Sequence, residues 1–196
     1  MIGNAKKSIV LSTFDLRPDD SGTKIIAALY TAAERGVQVQ ILIDGIYQKL
    51  FLEKSPVFQA LAAHQNVEVG IYNPVTNLMR LNYRMHDKYL IIDESMYLMG
   101  GRNTNDIFLG DKKTRINVDR DIFVYEETQG KGESLQALEK YFDTIWNEAQ
   151  VRKKKKTYAA SYEEKYKSEY HQLKERYRSL KEKYPDIENY EHCEDD

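Results

Sequence analysis

The residues that decide the fold read HDKYLIID at positions 86–93, and GGRN follows at positions 100–103. The first stretch predicts a β-strand, because its second half is rich in the apolar residues that buried strands favour. Side chains alternate between the two faces of a strand, so His86 and Lys88 are expected to share one face. Asp93 lies seven positions after His86 and is expected on the opposite face, which favours a supporting role.

Strand and helix patterns alternate on both sides of this stretch, at lengths typical of α/β domains. Residues 8–12 predict a buried strand, residues 22–36 an amphipathic helix and residues 37–44 a further strand, which together make a β-α-β unit. The other expected elements are a helix over 55–64, strands over 67–72, 85–93, 96–99 and 118–125, and a helix over 133–146. The expected fold class is therefore α/β, with a mixed β-sheet flanked by helices.

The chain has 196 residues, which is enough for one domain and an appendage but too short for two complete domains. Its 29 basic and 31 acidic residues give a net charge of -2, so no overall positive field attracts nucleic acid. Its single cysteine, Cys193, cannot form an internal disulfide. No apolar run approaches the roughly 20 residues needed to cross a bilayer. We expect a cytoplasmic or peripheral membrane location, and an anchor upstream of residue 1 stays open.

The composition changes at Val151, and a basic run follows at residues 152–156. Such a run favours a solvated helix face over contact with phosphate or a membrane surface. Beyond it, apolar residues recur every three or four positions, as on one side of a long helix that ends at Pro185 and packs along a neighbour. We therefore expect a charged, tyrosine-rich helical extension or interdomain connector over residues 151–196, with a frayed acidic end at 186–196. The residues on the apolar side are Tyr158, Tyr162, Tyr166, Tyr170, Leu173, Tyr177, Leu180 and Tyr184.

The GGRN segment has the composition of an anion-binding turn. Gly100 and Gly101 carry no side chain, so backbone N–H groups there can approach an anion closely. Asn103 adds an amide donor, and a helix that begins near residues 103–106 would add further N–H groups. Taken alone, GGRN is equally compatible with an ordinary capped turn. Its place beside a strand with a histidine and a lysine favours a phosphate site.

No metal site and no cofactor are expected from the sequence. His64, His171 and His192 are isolated from each other and from any cysteine pair, whereas zinc sites need such clusters. A serine, histidine and aspartate triad stays open, although no nucleophile elbow is present.

The spacing His-x-Lys-x4-Asp (HKD) followed by Gly-Gly-x-Asn resembles the catalytic motif of the phospholipase D superfamily. It is most similar to that of bacterial cardiolipin synthases and related phosphatidyltransferases, and segments 19–22, 32–37 and 42–45 also resemble the first half of such enzymes. The resemblance covers residues 1–150, which it identifies as a phospholipase D-like catalytic half-domain. Many members carry serine where this chain has Gly101, which puts one hydroxyl contact to phosphate in doubt.

The resemblance implies a metal-free phosphoryl transfer in two steps through a phosphohistidine. His86 would attack the phosphodiester phosphorus, Lys88 would bind the non-bridging oxygens, and a second histidine would protonate the leaving alkoxide. Asp119 matches the family position of the carboxylate that fixes the tautomer of the nucleophilic histidine. The alternative for Asp119 is a strand-end aspartate that faces water. Water as the incoming hydroxyl makes such an enzyme a hydrolase, and a lipid headgroup makes it a transferase.

The sequence contains one HKD motif, so the second histidine must come from elsewhere. The sequence favours the first half of a two-motif lipid enzyme, which is inactive or only a binding module when isolated. The alternative is a homodimer of the kind that short single-motif nucleases form. The favoured partners are a phospholipid substrate, a membrane surface contacted peripherally, and a second HKD half or an identical copy. Nucleic acid is disfavoured by the near-neutral charge, and a structural module with a degenerate site is the third hypothesis.

Overall fold

Seven strands form one mixed β-sheet in the part of the chain that the computed structural model describes, residues 1–76, 81–110, 117–126, 132–154 and 164–185. The strands are β1 Ser8–Thr13, β2 Gln38–Asp44, β3 Val67–Tyr72, β4 Tyr89–Ile92, β5 Met96–Gly100, β6 Asp121–Tyr125 and β7 Val151–Lys153. Their order across the sheet is β6-β5-β4-β1-β2-β3-β7. Strands β1, β2 and β3 are parallel, and every other neighbouring pair is antiparallel.

Helices flank both faces of this sheet. They are α1 Asp20–Glu34, α2 Gly45–Tyr47, α3 Pro56–Ala63, α4 Asp106–Leu109, α5 Glu133–Trp146 and α6 Lys167–Lys183. A 3-10 turn at Ile2–Asn4 precedes β1, and a π-helical turn at Gln48–Leu52 extends α2. The arrangement confirms the predicted α/β class with a mixed sheet between helices.

The β1-α1-β2 unit forms where the sequence predicts it. Asp19 caps α1 by accepting the N–H of Gly22 at 2.9 Å, so the helix begins slightly earlier than expected. Gly36 follows the helix with φ 96°, the left-handed conformation that glycine adopts without strain. Ser55 caps α3 by accepting the N–H of Phe58 at 3.4 Å, with proline at the first helical position.

Different helices bury the two faces of the sheet. Helices α1, α3 and α6 pack on one face of the parallel strands, where Ile26 and Phe58 are fully buried. Helix α5 packs on the other face through its predicted apolar side, which includes Leu135 and Phe142. Parallel strands covered on both faces are typical of α/β proteins, and the main core lies between β1, β2, β3 and α1.

The strand that carries the motif is shorter than predicted. Tyr89 is the first residue of β4 and pairs with Ser12 near the end of β1, while residues 86–88 lead into the strand. The N–H of Met85 donates to Asp44 Oδ2 at 3.2 Å. The Met85 N–H therefore bonds to a side chain and not to a neighbouring strand, and the backbone before His86 lies outside the sheet.

Strand β6 is also shorter than the predicted range 118–125. Its first residue, Asp121, pairs with Gly100, which is the last residue of β5. Residues before Asp121 therefore have no strand opposite them, and Val118 is exposed.

The segment after residue 150 contributes to the same packed body. Strand β7 pairs with β3, and Leu173 and Tyr177 of α6 join the main core. The rings of Tyr30 and Tyr170 stack with centroids 5.1 Å apart, so the predicted apolar side of the helix packs on α1. The division of the chain at residue 150 stays a prediction. Tyr158 and Tyr162 of the predicted stripe, and the predicted frayed end at 186–196, lie outside the described residues.

Candidate active site

His86 and Lys88 come together beside the carboxyl end of β1. Lys88 Nζ lies 3.1 Å from His86 Nδ1 and donates to the backbone carbonyl of His86 at 2.6 Å. Both residues directly precede β4, and the carbonyl of Lys88 accepts the N–H of Gly100 in β5 at 3.2 Å. The predicted juxtaposition of the histidine and the lysine is observed.

The contact with Lys88 determines which nitrogen of a neutral His86 ring carries the hydrogen. An ammonium group only donates, so His86 Nδ1 accepts, and a neutral ring then carries its hydrogen on Nε2. A nitrogen that bears this hydrogen has no lone pair for attack on phosphorus. A neutral ring can therefore present a lone pair at Nε2 only when Lys88 leaves Nδ1, and an anionic oxygen is a ligand able to attract this lysine.

Lys88 is buried beside an exposed histidine. It is 9% exposed, and this burial lowers the pKa of its ammonium group, although the negative charges of Asp87, Asp119 and Asp15 act in the opposite direction. A cation that has already lost most of its water gains more from an anion than a solvated lysine does. The lysine is thus suited to bind a phosphate oxygen.

An aromatic wall, formed by Phe14 and Tyr47, borders the histidine and was not singled out by the sequence pattern. The centroid of the Phe14 ring lies 4.3 Å from that of His86 and 4.6 Å from that of Tyr47. Lys88 Nζ lies 5.3 Å from the centroid of Phe14. Phe14 follows β1 and Tyr47 follows β2, and the carboxyl ends of adjacent parallel strands are where α/β sheets place binding residues. Their positions shortly after β1 and β2 could therefore have indicated Phe14 and Tyr47 from the sequence.

The GGRN segment turns where β5 ends, against the residues that precede and begin β6. A Cβ atom at Gly100 would overlap the carboxylate of Asp121, and a Cβ atom at Gly101 would overlap that of Asp119. Glycine at both positions permits this close approach. In this chain a carboxylate therefore lies where a side chain at position 101 would be.

Asn103 is held by a buried polar network beneath the turn. Its Oδ1 accepts the N–H of Asp15 at 3.3 Å, which leaves its NH2 group as the end that can donate to a ligand. Asp15 in turn accepts from Arg17 Nη2 at 2.6 Å and from Asn105 Nδ2 at 2.9 Å. The network joins the loop after β1 to the loop after β5, and the sequence pattern did not single out its central residue, Asp15.

The start of α4 does not provide the anion-binding N–H groups that the sequence predicted. The helix has only four residues, and the N–H of Asp106 donates to Asp19 Oδ2 at 2.9 Å. The N–H of Ile107 donates to Asn105 Oδ1 at 3.0 Å. Because protein oxygens already accept from these groups, that part of the prediction is wrong.

Asp93 lies at the opposite end of β4 from His86. Its carboxylate accepts the backbone N–H groups of Lys6 and Lys7 at 2.7 Å and of Ser8 at 2.9 Å. It thereby fastens the entry to β1 to the end of β4. These contacts are those of a supporting residue.

Asp119 lies in the segment before β6. Arg102 binds the backbone carbonyl of Asp119 through Nε at 3.1 Å and Nη2 at 2.9 Å, and the Asp119 carboxylate accepts the N–H of Arg120 at 2.8 Å. Within the described ranges no hydrogen bond joins Asp119 to His86, and its charge acts on Lys88. Its predicted role as the carboxylate partner of His86 stays a prediction.

A mixed sheet with a His-x-Lys pair beside a Gly-Gly-x-Asn turn defines a phospholipase D-type domain. The sequence model of the family described as the phospholipase D-like domain of cardiolipin synthase matches residues 1–146. The chain belongs to this family, as the motif predicted. Among the described helices, none is long and apolar enough to span a bilayer.

Curated relatives include cardiolipin synthases from several bacteria. That of Clostridium perfringens (strain SM101 / Type A) is 32% identical over 148 residues, which are 76% of this chain and 30% of the relative. Cardiolipin synthase B of Escherichia coli (strain K12) is 40% identical over 106 residues, which are 52% of this chain and 25% of the relative. The chain thus spans less than a third of the length of these relatives.

Two solved structures share the fold at low sequence identity. Nuc from Salmonella typhimurium, a phospholipase D family member, aligns with a TM-score of 0.57 at 20% identity, over 79% of this chain and 86% of Nuc. Phosphatidylserine synthase of Haemophilus influenzae aligns with a TM-score of 0.55 at 14% identity, over 90% of this chain and 42% of the synthase. At these identities the likeness shows the fold alone.

Proposed function

We propose that this chain supplies one half of a phosphatidyltransferase site of the cardiolipin synthase type. His86 is the nucleophile, and Lys88, Gly100, Gly101 and Asn103 bind the phosphate. The observation that carries the proposal is the contact between His86 Nδ1 and Lys88 Nζ beside a glycine turn, in a domain of this family. Asp93 and Asp119 support the site, the first through β4 and the second through its charge.

In the first step the substrate phosphate competes with His86 for Lys88. When Lys88 moves to the non-bridging oxygens, the ring hydrogen can reside on Nδ1, and Nε2 then presents its lone pair. A P–N bond forms at Nε2 while the P–O bond to the leaving group breaks. An alkoxide leaving group takes a proton as it departs, and in this proposal a second histidine donates that proton.

In the second step an incoming hydroxyl forms a new P–O bond and the P–N bond breaks, which restores His86. The proton of that hydroxyl returns to the second histidine. The similarity to cardiolipin synthases favours a lipid hydroxyl as the acceptor, and with water the same step is hydrolysis.

The surface beside the site supports a partner that brings the second histidine. Strand β6 is at the edge of the sheet, and its residues Ile122, Phe123 and Tyr125 are exposed. Exposed apolar clusters and unpaired strand edges are typical of surfaces that another polypeptide covers. The partner is a second HKD half or an identical copy of this chain.

An activated substrate tests the nucleophile without the partner. Bis(p-nitrophenyl) phosphate releases a phenolate that needs no proton, so His86 attack does not depend on a second histidine. We expect the purified chain to release nitrophenolate in a burst and to carry an arylphosphate adduct on His86, detected by mass spectrometry. H86N is the matched variant. An adduct on another residue, or an equal burst from H86N, overturns the assignment.

The substrate class requires a separate comparison. The chain is incubated with phosphatidylglycerol vesicles and with single-stranded DNA, each with H86N beside it, at protein concentrations where sedimentation defines the oligomeric state. Transfer or hydrolysis of the lipid that H86N lacks supports the proposal. DNA cleavage that H86N lacks, without any lipid product, assigns the chain to the homodimeric nucleases instead. Identical behaviour of both proteins, together with an absent burst, indicates a degenerate module.

A further inference from the structure

A row of apolar side chains crosses the sheet next to the phosphate-binding residues. Leu11 of β1 is opposite Leu90 of β4, and Leu90 is opposite Leu98 of β5. Phe123 of β6 continues the row beyond Leu98. Residues directly opposite each other in neighbouring strands point to the same face, so these side chains form one continuous surface. Lys88 precedes Leu90 by two positions and lies at one end of that surface.

Part of this row is the floor of a cleft. The aliphatic residues that line it are Leu11, Leu90, Leu98, Ile2 of the N-terminal turn, Ile25 of α1 and Leu109 of α4. Its volume is about 110 Å³. An apolar cavity of about 150 Å³ takes up benzene, so this cleft has room for a short stretch of hydrocarbon. Leu109 is exposed, and the cleft is therefore accessible from outside.

The polar end of the cleft is the phosphate site itself. Lys88, Gly100 and Asn103 line the same cavity. Arg102 and Asp121 also line it and form an ion pair with Nε and Oδ2 3.4 Å apart, so their charges offset each other. Lys88 thus supplies the positive charge at this end. An apolar body with a positive end complements an amphiphile that has an anionic head.

We propose that this cleft binds the hydrocarbon nearest to the head of a phospholipid, while Lys88 and Asn103 hold the phosphate. The inference rests on the proposed function, because the same residues position the phosphate. Bases of single-stranded nucleic acid stack on aromatic rings and its backbone binds a cationic groove, whereas the floor of this cleft is aliphatic and therefore favours a hydrocarbon chain. A methylene chain needs only apolar contacts, which Leu11, Leu90 and Leu98 provide on the floor of the cleft.

Alkyl phosphates of increasing length test the cleft directly by isothermal titration calorimetry, at concentrations below those at which they form micelles. We expect affinity to rise from inorganic phosphate through butyl to octyl phosphate, by about fourfold for each buried methylene until the cleft is full. In L98W the new indole fills the floor of the cleft, and this rise should disappear while inorganic phosphate still binds. M99W is the matched control, because its side chain lies on the opposite face of the same strand.

Position 109 provides a second variant in case L98W does not fold. Leu109 is exposed at the rim, so L109W should fold and should narrow the entrance. Equal affinity for all phosphates in the unaltered protein, or a rise with chain length that survives L98W and L109W, overturns the proposal. The proposal is also overturned if affinity stops rising with chain length under conditions where sedimentation shows a dimer. In that case a second copy of the chain occupies the cleft.

The nitrophenolate burst separates this inference from the proposed function. A burst that depends on His86, without any effect of chain length, contradicts the cleft and leaves the nucleophile in place. A chain-length effect that depends on Leu98, without a burst, supports the cleft and contradicts the proposed chemistry.

Discussion

The parallel half of the sheet, β1 to β3, buries its apolar residues, whereas the antiparallel half, β4 to β6, leaves several at the surface. In β2, Ile41 and Ile43 are 0% exposed, but in β6 Ile122 and Phe123 are 65% and 46% exposed. Helices cover the first half on both faces, and β6 is the edge strand of the sheet among the described residues. Apolar burial is therefore concentrated in the parallel half, while His86 and Lys88 lie at the boundary between the parallel and the antiparallel half.

Replacement of His86 should separate chemistry from stability most clearly. H86N removes the proposed nucleophile, and we expect the burst rate to fall by about a million-fold, the order of magnitude that loss of a covalent nucleophile costs. The free energy of unfolding, measured by urea denaturation, should change by less than about 0.5 kcal/mol, because the side chain is exposed. A large loss of stability in H86N would contradict this expectation, because His86 would then also stabilise the fold.

Two apolar truncations, one in the main core and one in the edge strand β6, should differ in their effect on the free energy of unfolding. Leu173 of α6 is 0% exposed in the main core, so L173A should lower the free energy of unfolding by about 2–5 kcal/mol. F123A removes a larger side chain from the open edge, yet it should cost less than about 1 kcal/mol. Urea denaturation at a concentration where the chain is monomeric measures both. Equal costs would show that β6 is as well packed as the parallel half.

Asp93 joins the two halves, and D93N tests its supporting role. The substitution disturbs a carboxylate that accepts three backbone N–H groups, so we expect a loss of about 2 kcal/mol in the free energy of unfolding. The burst amplitude per folded molecule should not change. A lost burst in folded D93N would instead place Asp93 in the chemistry.

The pH dependence of phosphate binding should reveal the burial of Lys88. The protonated form binds phosphate, and burial lowers its pKa below the ordinary value of 10.5, so affinity should fall at a lower pH than for a solvated lysine. In K88R this decline should disappear from the accessible range, because the guanidinium stays protonated. Calorimetric titration with inorganic phosphate across the alkaline range measures the effect. An unchanged decline in K88R would assign the titration to another group.

Much of the fold and part of the site could be predicted from local patterns. Asp19 and Ser55 mark helix starts because their side chains cap nearby N–H groups, which is a property of a few consecutive residues. The apolar side of α5 follows from helical spacing in the same way. The HKD and GGRN spacing indicated the family, since it reflects a motif that the family shares.

Other parts of the site could not be predicted, because they depend on contacts between distant segments. Ahead of the motif strand, the N–H of Met85 donates to Asp44, the last residue of β2. The Phe14 ring meets His86 only after β1 and β4 pair. Nothing in the spacing of the motif shows either contact.

The sequence by itself determined the family, the α/β class and the identities of the histidine, the lysine and the glycine turn, because local patterns and shared motifs are properties of the linear chain. Three features follow from the tertiary structure only: Lys88 contacts Nδ1 of His86, Asp15 orients Asn103, and an apolar cleft adjoins Lys88 and Asn103. These features arise when strands from distant parts of the chain pair and their side chains are removed from water together. Packing in three dimensions, which no local pattern encodes, sets such geometry and charge.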